Sequence, residues 1–127
     1  MATILVVDDA AFMRVVLKDI LEEGGHTVIS EAGNGKDAVE KYKAYRPDLV
    51  TMDVKMPDIS GVEAVREIRR VDPDARIIMC TALGHRQMIL ESMRSGAMDF
   101  VVKPLQPGRV LEAVGKALDG HWHGKAQ

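Results

Sequence analysis

Five short runs rich in apolar and β-branched residues, near 3–7, 26–30, 49–52, 77–81 and 100–102, alternate along the chain with longer stretches of helical period. That strict alternation constrains the fold more than any other feature, because strand and helix taken in turn build an α/β domain around a parallel sheet. Most of the runs are continuously apolar instead of alternating, as expected of strands covered by helices on both faces.

The intervening segments carry their own start and stop signals. In the first, Phe12, Val16 and Ile20 recur four apart, as do Met13, Leu17 and Leu21, and Gly24-Gly25 ends this broad apolar face. Asn34 suits the cap of a second helix with Val39 and Tyr42 one turn apart, and Arg46-Pro47 closes it. Ser60 and Glu63 form a capping-box pattern before Ala64, Val65 and Ile68, and Asp72-Pro73 stops that third helix. A fourth helix is expected over 86–94, ending at Gly96, and Pro107 suits the first turn of a fifth with Val110, Leu111, Val114 and Leu118. Gly115 lowers helix propensity by about 1 kcal/mol relative to alanine, so fraying is expected in its second half.

The sum is a flavodoxin-like (βα)5 three-layer sandwich with a parallel five-stranded sheet, for which right-handed crossovers favour the order 2-1-3-4-5. A chain of 127 residues suits one such domain, expected over 1–120, with a polar tail at 121–127. The net charge of -2, with both signs interspersed, offers no basic tract for nucleic acid. No apolar run approaches the roughly 20 residues of a membrane helix, and a strand-like ILVV opens the chain where a signal segment would stand, so a cytoplasmic protein without membrane attachment is expected. Cys80, the only cysteine, sits beside Ile78 and Met79 as a buried thiol, and the eight methionines read as core filling.

In such a sheet ligands bind beyond the carboxyl ends of the strands, near the switch point beside strands 1 and 3. Asp8 and Asp9 follow strand 1, Asp53 strand 3, Thr81 strand 4 and Lys103 strand 5. Taken singly, each carboxylate is as well explained as a helix cap or a solvated loop charge. Brought together, three of them repel by about 4 kcal/mol per pair at 4 Å and an effective dielectric of 20, so a cation must join them. Mg²⁺ fits, taking one or two carboxylates together with phosphate oxygens and water. A carboxylate nucleophile, a cation, a hydroxyl and an ammonium are the parts of phosphoryl transfer, with an acyl phosphate on one aspartate as product.

The segments VVDDAAFMR, TMDVKMPDISG, CTALG and DFVVKP resemble the response-regulator receiver family over nearly the whole chain, from strand 1 through helix 5. DDAAFMR, EKYK, DLVTMD and ARIIMC are most similar to its stand-alone chemotaxis members. The resemblance implies that Asp53 accepts phosphate from a CheA-type histidine kinase and that Asp8, Asp9, Asp53 and the Lys55 backbone carbonyl serve the metal. It also implies that Thr81 and Lys103 hold the phosphoryl oxygens, and that a cis Lys103-Pro104 peptide aims the amine into the site. Phe100 takes the place of the switch aromatic that moves with Thr81; an ordinary core aromatic is the plainer reading. Helix 4, strand 5 and helix 5 would meet the target, the flagellar motor switch or another phosphorylation-dependent partner, with a phosphatase nearby. The implied protein is a monomeric signalling switch and not an enzyme, although it takes part in its own phosphotransfer and dephosphorylation.

Lys55 departs from the threonine or asparagine usual at that position, and it either modulates the phosphoryl lifetime or is a solvated loop lysine. His121 and His123 in the tail make a poor metal site without further ligands. Three rival readings stand beside the chemotaxis regulator. An aspartate-nucleophile phosphatase of the haloacid-dehalogenase type would need an acid two residues after Asp53, where Lys55 stands. A flavodoxin-like redox module would place Asp8-Asp9 against a phosphate. A stand-alone receiver in another phosphorelay shares every motif.

Overall fold

The computed structural model describes residues 2–82 and 85–120; His121 and His123 lie outside them. Strands β1 (Thr3–Val7), β2 (Thr27–Ala32), β3 (Leu49–Asp53), β4 (Ile77–Thr81) and β5 (Asp99–Val102) alternate with helices α1 (Ala11–Glu23), α2 (Gly35–Tyr45), α3 (Gly61–Val71), α4 (Arg86–Ser95) and α5 (Pro107–Leu118). All pairings are parallel, in the order β2-β1-β3-β4-β5.

Alternation along each strand divides the core into two layers. Leu5, Val7, Val50, Met52, Ile77 and Met79 face one way and are covered by Tyr42 of α2, by Val65 and Ile68 of α3, and by Met88 and Met93 of α4. Ile4, Val6, Ile78 and Cys80 face the other way, against Leu17 and Leu21 of α1 and Val110 and Val114 of α5. Each fully buried aliphatic side chain adds about 1.5–3 kcal/mol, so both faces hold the central strands.

The helix ends follow the local chemistry. The Asp37 N–H donates to Asn34 Oδ1 at 2.8 Å, and the Glu63 N–H to Ser60 Oγ at 3.2 Å. Arg46, squeezed before Pro47, ends α2 in the left-handed region at φ 46°. Gly96 closes α4 at φ 122°, a conformation only glycine adopts readily. The helix α5 runs through Gly115 to Leu118, because Val114 and Ala117 beyond the middle of the helix are buried and hold the segment that propensity alone would let fray.

Two expectations shift. The strand β2 begins at Thr27 and extends to Ala32, two residues past the apolar run. It is an edge strand with a register irregularity opposite Ile4 and Leu5, so Glu31 can lie within it with its side chain turned to Arg14. Phe12 is 73% exposed and does not join the apolar face of α1.

Candidate metal and phosphoryl site

Strands β1, β3, β4 and β5 end side by side, so the residues after them converge. Carboxylate oxygens of Asp8, Asp9 and Asp53 lie within 4.8 Å of one another. Asp8 and Asp53 are buried, whereas Asp9 is exposed. The donor set is all hard oxygen and has one side open to solvent, which fits Mg²⁺.

Lys103 reaches into this group from β5. Its Nζ donates to Asp8 Oδ2 at 2.8 Å and lies 3.6 Å from Asp53 Oδ1. Burial alone would lower the amine's pKa, but the Asp8 hydrogen bond and the Asp53 charge outweigh it, so the ammonium is held above its ordinary value. Asp53 moves the opposite way from most carboxylates in ion pairs: burial, then the neighbouring Asp8 charge, raise it against the pull of Lys103. The Val54 N–H donates to Asp53 Oδ1 at 2.8 Å. Among the described residues Asp53 Oδ2 has no hydrogen-bond donor.

The surrounding backbone is tied down on each side. The Ala10 N–H donates to Asp8 Oδ1 at 2.9 Å, and Arg14 Nη1 donates to the Asp8 carbonyl at 2.6 Å while its Nε meets Glu31 at 3.1 Å. After β3, the Gly61 N–H donates to the Val54 carbonyl at 2.7 Å. A Cβ on Gly61 would lie 2.1 Å from the Asp53 carbonyl oxygen, so only glycine lets α3 start so close to this turn. Asp58, further along the same loop, accepts from the Gly35 and Lys36 N–H groups at 2.8 Å each. Against its desolvation, these two bonds, together with the Ile59 and Asp58 N–H groups, hold the carboxylate's pKa low.

Every strand-end residue expected from the sequence is therefore in or beside one pocket. Thr81 is fully buried at the end of β4, and the Lys103 N–H donates to its carbonyl at 2.7 Å. The Lys103-Pro104 peptide is cis. Phe100 is half-buried on β5, opposite Met79 of β4, and packs on the layer beneath α4. Lys55 is exposed, and among the described residues its side chain makes no ion pair. Cys80 is buried as expected, which pushes its thiol pKa up to about 12. Arg14, Asp58, Gly61 and His85 were not singled out by sequence reasoning. Of these, Gly61 alone left a trace, as the glycine directly after the Ser60 cap.

The response regulator receiver domain model matches residues 4–115. The chain belongs to the response-regulator receiver family. Two chemotaxis proteins CheY are similar throughout: that of Bacillus subtilis is 55% identical over 116 residues, covering 91% of this chain and 97% of its own. That of Thermotoga maritima is 54% identical over 113 residues, covering 89% and 94%. Among solved receivers, the response regulator domain of Thermotoga maritima CheB superposes with a TM-score of 0.85 at 37% identity, covering 92% of this chain and 96% of that one. The CheX-CheY-BeF3-Mg complex of Borrelia burgdorferi aligns with a TM-score of 0.84 at 38% identity, over 88% and 85%. Both neighbours share the flavodoxin-like fold. Among the described residues, no helix of this receiver is long and apolar enough to cross a membrane.

Proposed function

We propose that this receiver is a phosphorylation switch of the chemotaxis type, taking a phosphoryl group on Asp53 from the phosphohistidine of a CheA-type kinase. The observation that carries the reading is the buried Asp8–Lys103–Asp53 arrangement, in which one Asp53 carboxylate oxygen is left without a donor among the described residues. Asp53 Oδ2 attacks phosphorus; the P–N bond breaks, its electron pair returns to the imidazole, and the acyl phosphate forms on the carboxylate. Asp8, Asp9, Asp53 and the Lys55 carbonyl are the groups to hold Mg²⁺. Bound there, the ion supplies positive charge to the transferring phosphoryl oxygens and relieves the repulsion among the acids.

Lys103 is within reach of both buried acids and donates to a phosphoryl oxygen on Asp53 by giving up a carboxylate contact for it. The Thr81 hydroxyl donates to a second oxygen, and Phe100 follows into the space it vacates, carrying the change to the face of α4, β5 and α5. That face is thinly seated: Ser92 is the one fully buried residue of α4, and Leu90 is 43% exposed. The flagellar motor switch is the target proposed for it, on the strength of the chemotaxis relatives. A phosphatase is a further partner, since a related CheY forms a complex with CheX. The protein works as a cytoplasmic monomer. A receiver in another phosphorelay would use the same pocket and differ only in the partner of α4 and α5.

Intact mass after incubation with acetyl phosphate tests the chemistry. A gain of about 80 Da, requiring both Mg²⁺ and Asp53 and absent from Asp53→Asn, is the expected outcome of acyl-phosphate formation. Failure of the parent both to gain this mass and to bind beryllofluoride would overturn it.

A further inference from the structure

We propose that His85 is a positioning residue that sets the resting place of the Thr81 hydroxyl and thereby the cost of turning the switch. This inference rests on the reading of Thr81 as a phosphoryl ligand. Thr81 is fully buried, so its hydroxyl needs a protein partner. Its Oγ1 lies 3.1 Å from His85 Nδ1 and 3.3 Å from the Ala82 carbonyl. Neither partner belongs to the acidic pocket; both lie on the side of Thr81 away from it, His85 directly before α4.

A hydroxyl has one proton to give. Whichever of the two partners takes it at rest, that proton must be withdrawn before Thr81 can donate to a phosphoryl oxygen. His85 is the adjustable member of the pair, because the Ala82 carbonyl is backbone and independent of side-chain identity. His85 is also the residue immediately before α4, and its side chain makes no capping hydrogen bond to the helix. Its imidazole is therefore free of the usual structural duty of that position and is committed to Thr81. Strengthening the contact favours the resting state, and deleting it favours the phosphoryl-bound one.

The test is a double-mutant cycle read by affinity for beryllofluoride at saturating Mg²⁺, followed by fluorine resonance. His85→Ala is expected to bind beryllofluoride about three- to tenfold more tightly than the parent, the value of one ordinary hydrogen bond. His85→Asn, which keeps a polar atom near the place of Nδ1, is expected to return toward the parent. In a Thr81→Ala background the His85→Ala effect should vanish. Unchanged or weaker binding by His85→Ala, an Asn variant indistinguishable from Ala, or an equal effect without the Thr81 hydroxyl would each overturn the proposal while leaving the receiver reading intact. A parent that takes up no beryllofluoride would instead remove the receiver reading, and this inference with it.

Discussion

Asp53→Asn is expected to make the metal-free protein more stable, although it deletes a group at the centre of the site. Asp8 and Asp53 oxygens within 4.8 Å repel by at least about 3.5 kcal/mol at an effective dielectric of 20, and Lys103 at 3.6 Å returns about 4.6 kcal/mol. The exposed Asp9, seen through water, adds repulsion of about 0.9 kcal/mol. These terms nearly cancel, which leaves the desolvation of a carboxylate buried to 7% exposure as the deciding effect. Burial of an ion costs several kcal/mol in full, and the Val54 N–H recovers part of it, so about 1–2 kcal/mol should remain against the charged form. Asparagine keeps an oxygen for Val54 and sheds the charge, while Lys103 retains Asp8 at 2.8 Å. Urea unfolding in EDTA should therefore show Asp53→Asn about 1–2 kcal/mol more stable than the parent at unchanged slope. Added Mg²⁺ should stabilise the parent more than the variant and narrow the gap. An Asp53→Asn midpoint at or below that of the parent in EDTA would refute the balance of charges described here.

Gly61→Ala should cost about 1–3 kcal/mol and slow acetyl-phosphate uptake, because its Cβ meets the Asp53 carbonyl and must displace that turn; normal stability and uptake in urea and mass assays would contradict the close approach. Tyr42 donates to Asp72 at 2.7 Å, and this bond, followed by the Asp74 N–H, holds the Asp72 carboxyl below its ordinary 3.8. A lowered acid contributes its stability above that value and loses it as the pH falls through its folded pKa. Burial, then Asp72, raises Tyr42 above 10.0, so its share is full below that pH and fades above it. Tyr42→Phe should therefore cost about 1 kcal/mol near neutrality and progressively less below pH 3.8 and above pH 10.0 in pH-dependent urea melts. Lys55→Thr is expected to shorten or lengthen the life of the acyl phosphate without altering stability, since the lysine is exposed; equal autodephosphorylation rates would remove Lys55 from the mechanism.

The sequence carried the periodicities of the fold, and with them the strand order and the convergence of Asp8, Asp53, Thr81 and Lys103. Apolar patterning failed where a side chain's surroundings are set by more than its own element. The edge strand β2 tolerates Glu31 because Arg14 of α1 takes its charge, whereas the exposure of Phe12 on α1 breaks a four-residue apolar spacing that reads as buried. The partners of the site were equally hidden. Gly61 matters through a carbonyl eight residues away and Asp58 through a helix start 22 residues away, and neither relation has a local pattern. Nothing in the sequence marked His85, since its contact to Thr81 joins the residue before α4 to the end of β4 and exists only in the folded chain.

Lys103 and Asp8 are 95 residues apart in sequence yet share a hydrogen bond. Because β1 lies inside the sheet and β5 at its edge, these two meet only after the crossovers through β3 and β4 have closed. A partly assembled sheet lacking β5 would hold Asp8 and Asp53 together with no ammonium between them. In such a sheet the two buried carboxylates would repel uncompensated, and the pairing of β5 with β4 is what brings the Lys103 ammonium to them. In kinetic terms, competence to accept a phosphoryl group should appear together with the final packing of β5, making acetyl-phosphate uptake a clock for the end of folding.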